Sequence, residues 1–512
     1  MNKIFFSIFL VFSTCFCGVY PVTPVIHKAH LSSSWYPHDK DILEKRIENY
    51  FSIAKKNFYV KQKSAKSQQI KAVIAPHAGY DFSGLCASSV YRLLKSGKEK
   101  NKNINRVIIL APSHNYAFTG LALPDYDIYR TALGDISVDK ESISTLNKLK
   151  KEKLFKVAPR AHMPEHSLEV QLPFLQSCIS DFSIVPLVIG DIGEKDYDRV
   201  AGAISGIIDN KTLVVVSSDF IHYGPRFAYT PFKKDIFYNI NRTNSRAIEA
   251  ICEKSFVKFD SVVKETGATI CGRNAIKILL KIIELRALGD VECRLASYYS
   301  SPQIKKSSVS YAGLVFTQEK LSSLKEADRL TGYERRSLLR IARDSIESEL
   351  EKKSASYYPI LSDGMKIVAG AFVTLNTKAG RLRGCVGRII ADKPLYKTVA
   401  DMAKSAAFHD SRFLPVKKSE LDNLVIDITV LTRPKKVASY KNIVIGKHGI
   451  ILKKRLAGGV ARSAVFLPKV PGEFGWDLET TLDHLGEKAG LKKGEWRVDC
   501  EFEVFEGFEV SE

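Results

Sequence analysis

The chain reads as two domains, an α/β N-terminal domain built on a layered sheet and a smaller α+β C-terminal domain. Three observations point there. From about residue 70 to 317, continuous apolar runs alternate with helical patterns, as expected of strands buried on both faces. Beyond about residue 333, hairpin-rich strand patterns are interrupted by only a few helices. Between the two lies a polar stretch ending in glycine, "TQEKLSSLKEADRLTG". At 512 residues the chain is also too long for one ordinary core.

In chain order, "MNKIFFSIFLVFSTCFCGVY" comes first, with one lysine and an apolar run from Ile4 to Phe12. That run is too short to span a bilayer and fits the core of a signal peptide. Residues 1–22 are therefore expected to be a leader, giving export or membrane anchoring; without cleavage the protein is cytoplasmic. Cys15 and Cys17 offer a lipidation point, although Phe12-Ser13-Thr14 is a poor lipobox. The first domain then covers 23–317, a linker 318–332 and the second domain 333–512. Strands are expected in "KAVIAPH", "RVIILAPSH", "FSIVPLVIGD", "TLVVVSSDF" and "SSVSYAGLVFT", with helices in "GLCASSVYRLLKSG" and "RNAIKILLKIIELRALG". The second domain opens with the amphipathic "ERRSLLRIARDSIESELEKK". Strand patterns follow in "GAFVTLN", "RLRGCVGRI", "NLVIDITVLT", "NIVIGKHGIILKK" and "RVDCEFEVFEGFEV", with helices in "PLYKTVADMAKSAAF" and "DLETTLDHLGEKAG".

Composition narrows the function. A 45% hydrophobic, 10% aromatic chain is globular, and its +21 charge comes from scattered lysines such as "KSGKEKNKNINR" and "KLKKEKLFK". Without an arginine-rich tract interleaved with aromatics, that charge describes a solvated basic surface and argues against a nucleic-acid partner. Two of the nine cysteines fall in the leader, leaving seven: Cys86, Cys178, Cys252, Cys271, Cys293, Cys385 and Cys500. Their odd number, wide spacing and lack of any CxxC fit neither a disulfide framework nor a zinc ribbon.

Chemistry gathers at strand ends. "AVIAPH" ends in His77, "VIILAPSH" in His114, and "VVVSSDFIH" in Asp219 and His222. Ligands in open α/β sheets collect outside the carboxyl ends of strands, where loops carry polar groups while the strands stay packed. If these strands are neighbours, their ends face one crevice. "ETGATICGRNAI" sets Cys271 just ahead of a helix, whose N-terminus favours thiolate. "HMPEHSLEVQLPFL" offers His162, Glu165, His166 and Glu169; as one helix it would stack each four-apart pair on a face, and its plainer reading is a capped helix with solvated acids. In the second domain "LRGCVG" presents Arg383 beside Cys385, a pairing that favours thiolate, between glycines that also fit a tight turn joining two strands.

In order, "HLSSSWYP", "APHAGYDFSG", "APSHNYAFTG", "EHSLEVQLPFL", "SSDFIHYG" and "GATICGRNAI" resemble the Memo family, which shares its fold with class III extradiol dioxygenases. The resemblance implies a metal held by His77, His114 and Cys271, with iron(II) the first choice and copper the alternative. It sets Asp219 and His222 beside the metal, His222 where the dioxygenases keep an acid/base histidine; His166, from "HMPEHSLEVQLPFL", joins them as a catalytic candidate. Those enzymes use two histidines and a carboxylate, so a thiolate makes this site softer. "GAFVTLNTKAGRLRGCVGRI", "AFHDSRFLPV", "LDNLVIDITVL", "GKHGIIL" and "LPKVPGEFGWDLETTLDHLGEKAGL" resemble the AMMECR family. The fusion looks like the AmmeMemoRadiSam system, which implies a radical-SAM partner, since this chain has no CxxxCxxC. The expected function is a metal-dependent redox or oxygenase-like enzyme with an accessory domain, acting on an unidentified small molecule or peptide. Its rival is a non-catalytic adaptor holding a peptide in the same cleft.

Overall fold

In a computed structural model of the protein, the apolar run at residue 70 forms strand β1 (Ile70–Ala75). It is followed by β2 (Arg106–Pro112), β3 (Ser183–Ile189), β4 (Thr212–Ser217) and β5 (Ser308–Thr317). They lie in the order β3–β2–β4–β1–β5 within a 12-stranded sheet. The first four are parallel, and β5 runs antiparallel to β1. The structure describes residues 23–57, 69–96, 101, 103–149, 154–302, 306–318, 330, 332–352, 363–455 and 461–512. The expected leader lies outside them, as does most of the expected linker.

Alternate residues of a strand point to opposite faces. Here Ile74, Leu110 and Val216 enter one core while Val73, Ile109 and Val215 enter another. That double burial is why the strand sequences are apolar without alternation. Helices α1 (Lys40–Asn57) and α2 (Tyr80–Ser96) cover one face through Leu43, Ile47, Val90 and Tyr91. On the other, α3 (Ile236–Cys252) and α4 (Arg273–Glu284) bring Ile240, Ile248, Ile276 and Leu280. Each such side chain, fully buried, stabilises the layer by roughly 1.5–3 kcal/mol.

The second domain is α+β, as expected. Helices α5 (Gly332–Glu351) and α6 (Leu395–Phe408) pack on β6 (Ala371–Thr377), β7 (Leu382–Arg388) and β8 (Leu424–Leu431). With β9 (His448–Arg455), β10 (Ala461–Phe466) and β11 (Cys500–Ser511) they form an antiparallel sheet ordered β7–β6–β8–β11–β9–β10. "LRGCVG" is not a turn between strands but part of β7 itself, paired along β6. Its glycines serve packing: a Cβ on Gly384 would sit 2.2 Å from the Ala406 carbonyl oxygen, and one on Gly387 2.1 Å from the Phe372 ring. No helix among the described residues is long and apolar enough to cross a membrane.

Candidate metal centre

Because β2, β4 and β1 are neighbours, their carboxyl ends open on one crevice. Ala75 is level with Ser217 and Leu110 with Val216. His77 and Asp219 therefore leave β1 and β4 side by side, and His114 leaves β2 on the far side of β4. Cys271 arrives from the segment before α4. One ligand atom each from His77, His114 and Cys271 all lie within 4.8 Å of one another. The Cys271 Sγ is 3.0 Å from the His77 Nε2.

Hydrogen bonds assign the ring nitrogens. Ser217 Oγ gives its one hydrogen to the Ser167 carbonyl at 2.6 Å and accepts from Gln171 Nε2 at 2.9 Å. Toward His77 Nδ1, 2.8 Å away, it has only a lone pair left, so Nδ1 carries the proton and Nε2 is bare. His114 repeats the device on a carboxylate: Nδ1 donates to Glu165 Oε1 at 2.9 Å and the backbone N–H to Oε2 at 2.7 Å. An anchored Nδ1–H that leaves Nε2 free is how metal-binding imidazoles are held.

Burial, reinforced by the neighbouring imidazoles of His114, His166 and His222, holds His77 well below the usual histidine range, in the neutral state a metal needs. Burial, then the Asp219 charge, pushes the Cys271 thiol up. Cys271 does lie just ahead of α4, whose N-cap is Gly272, and the Gly272 N–H favours the thiolate, but burial and the Asp219 charge outweigh it. The sulfur also accepts the Asp219 N–H at 3.1 Å. A metal cation bound at this sulfur would overcome that burial, since a coordinating thiol is deprotonated by the ion's own charge. Asp219 is buried, which raises its pKa, and its Oδ1 accepts the His77 N–H at 2.8 Å.

Residues 159–176 depart from expectation. They form three short helical segments, Pro159–His162, His166–Glu169 and Leu172–Gln176, because Pro164 and Pro173 lack the N–H a continuous helix requires. The acids are not solvated; Glu165 and Glu169 are both fully buried. Glu165 caps the middle segment by accepting from Ser167 N at 3.0 Å while gripping His114. Burial alone would raise its pKa, but the bonds from His114 lower it. Glu169 reaches back to the N-terminal loop, accepting from His30 N, Leu31 N and, at 2.5 Å, Tyr36 Oη. His162 turns away from the centre, Nε2 on the Ala122 carbonyl at 3.0 Å and Nδ1 3.2 Å from Tyr126 Oη. His166 joins the cluster, its ring 4.4 Å from that of His114 and 4.7 Å from Trp35. Neither grip is legible in the sequence: glutamate is not a favoured N-cap residue, and the partners of Glu165 and Glu169 lie 51 and 139 residues away.

His222 faces the same space. Its Nδ1 lies 3.1 Å from the Thr269 carbonyl, which can only accept, so the neutral ring again carries a bare Nε2, 3.9 Å from Asp219 Oδ2. The cleft in front has a volume of about 410 Å³, with Trp35, Phe82, Phe227 and Tyr311 among its walls and Arg226 beside them.

Arg383 and Cys385 lie about a sheet face in the other domain. The Arg383 guanidinium grips Glu420, with Nε 2.8 Å from Oε1, not the neighbouring thiol. Thr374 Oγ1 donates to the Cys385 sulfur at 3.2 Å, and Asp410 Oδ2 accepts the Cys385 N–H at 2.8 Å. The arginine near Cys385 is Arg412, which donates to its carbonyl at 3.0 Å.

The family model described as Memo-like protein matches residues 27–315, more than half of the chain. The chain belongs to the Memo family. The AMMECR1 family model matches residues 339–510. Over 302 residues the chain is 32% identical to the protein MEMO1 of Xenopus laevis, covering 56% of this chain and 96% of that one. MEMO1 of Homo sapiens is 31% identical over 308 residues, 57% of this chain and 98% of that protein. The memo-1 homolog of Caenorhabditis elegans is 30% identical over 56% of this chain and 81% of its own. Among solved structures, an uncharacterized protein of Pyrococcus horikoshii is 33% identical, covering 34% of this chain and 88% of its own with a TM-score of 0.30.

Proposed function

We propose that the Memo domain is a metal-dependent redox enzyme of the non-haem iron type and that the AMMECR domain is its accessory. The observation that carries this reading is the meeting of His77, His114 and Cys271 ligand atoms within 4.8 Å, with both rings anchored through Nδ1. Two neutral imidazole nitrogens and one sulfur fit a first-row divalent metal, with iron(II) first and copper the alternative for so soft a set. Bound there, such an ion supplies electron transfer to or from a substrate in the cleft.

The chain's own residues do the rest. His222 takes a proton from the substrate at its bare Nε2, and the adjacent Asp219 carboxylate stabilises the imidazolium that forms. Ser217 and Glu165 fix the two liganding rings. The aromatic walls shed water from the reacting groups. The proposed partner is a radical-SAM protein, which brings the iron–sulfur chemistry for which this chain has no CxxxCxxC motif.

The test is metal analysis of protein purified without air, followed by oxygen uptake when air is admitted. Stoichiometric iron or copper with metal-dependent uptake is expected. Metal without uptake would leave a peptide-holding adaptor, and no retained metal would remove both the cofactor and the reaction.

A further inference from the structure

We infer that Cys252 and Cys293 form a disulfide that ties the end of α3 to the strand Glu292–Ser300. Their sulfurs lie 3.1 Å apart although 41 residues separate them in sequence. Neither belongs to the metal centre. Cys252 is the last residue of α3, and Cys293 is the second residue of that strand.

Independent contacts on both sides hold the two segments in register. Toward the domain interior, Asn244 of α3 donates to Tyr298 Oη at 3.0 Å, and Tyr298 donates to Asn241 Oδ1 at 2.8 Å. Just past the helix end, Lys254 adopts a left-handed φ of 59° and donates through Nζ to the Val291 carbonyl at 3.0 Å. The thiols thus sit between two fixed points, and closing the bond brings the sulfurs from 3.1 Å to about 2.0 Å. Access is from the Cys252 side: Cys252 is half-buried, whereas Cys293 is 2% exposed.

The oxidant is a small-molecule disulfide. The Cys252 thiolate attacks one of its sulfurs, forming a mixed disulfide and releasing one small thiol. The Cys293 thiolate then attacks the Cys252 sulfur and expels the second. Two protons and two electrons leave the protein, and the small disulfide departs as two thiols. The bond closes a loop that contains α4 and Cys271, and the strand it tethers pairs with β5, whose Ser308, Val309 and Tyr311 line the cleft.

The experiment equilibrates the full-length protein in a glutathione buffer rich in the oxidised form, alkylates it and digests it with trypsin. The segments "AIEAICEK" and "ALGDVECR" should appear as one cross-linked species in most chains. Wild-type protein so oxidised should melt several degrees above its reduced form, as expected of a bridged loop of this length. Cys252→Ser should abolish both the species and the shift. The inference is overturned if both cysteines remain alkylatable in folded, oxidised protein, or if the cross-link joins Cys252 to any other cysteine. Because the readout compares two redox states of the wild type, a poorly folding variant does not decide it.

Discussion

Two cysteines beside polar partners, one in each domain, end up in opposite situations. Cys271 lies where parallel strands finish, so the groups around it come from four separate segments and point at one volume. Cys385 lies inside an antiparallel strand, where the ladder commits the backbone and the sulfur meets the facing Thr374 hydroxyl. Around Cys385 the charges satisfy one another, Arg383 with Glu420 and Arg412 with Asp410. Around Cys271 the nearest imidazole nitrogen is bare. A parallel sheet leaves its polar capacity unspent at one edge, whereas an antiparallel strand uses it locally.

The contrast can be broken most directly by removing each sulfur. Cys271→Ala should abolish stable metal retention after gel filtration, measured by elemental analysis, while Cys385→Ser leaves metal content unchanged. Equal loss from both would dissolve the distinction. Next in size, His222→Gln should keep the metal but lower metal-dependent oxygen uptake by roughly 10²-fold. If it empties the centre as Cys271→Ala does, His222 is a ligand. Glu165→Gln weakens the His114 anchor and should cost at least about tenfold in metal affinity by competition with a chelator.

The smallest effect concerns acid. Burial lowers the pKa of His162 to about 4, from an ordinary value of 6.5. Below pH 6.5 the unfolded chain takes up this proton while the folded chain does not. Stability is therefore undiminished by this group above pH 6.5 and falls progressively as pH drops toward 4. Urea melts of metal-free protein at pH 7 and 5.5 should show His162→Gln sparing on the order of 1 kcal/mol of the wild-type loss. An identical loss in both proteins would mean that His162 plays no part in the acid response.

Much of this was legible in the sequence. β1 to β5 could be read from apolar runs because both faces are buried, and the strand-end residues could be read as one cluster once the strands were taken as neighbours. The strand Glu292–Ser300 was missed because a bulge between Leu295 and Ser297 breaks its pairing pattern. The four-residue spacing within 162–175 suggests one helix, but Pro164 and Pro173 cut it into short segments. The contacts of Glu169 with His30 and Leu31 span 139 and 138 residues, a distance over which no local pattern reports. Arg383 was paired with the thiol next to it in sequence, whereas its carboxylate partner sits 37 residues away.

Glu165 has a consequence of its own. One carboxylate grips an imidazole, receives that residue's backbone N–H and starts a helical segment. His114 therefore cannot swing to suit a visiting ion without unfastening the turn that follows Glu165. A metal bound in a pocket steered this way would find it unable to reshape itself, so the hardness of the donors and the fixed tilt of the ring would decide which ions are accepted.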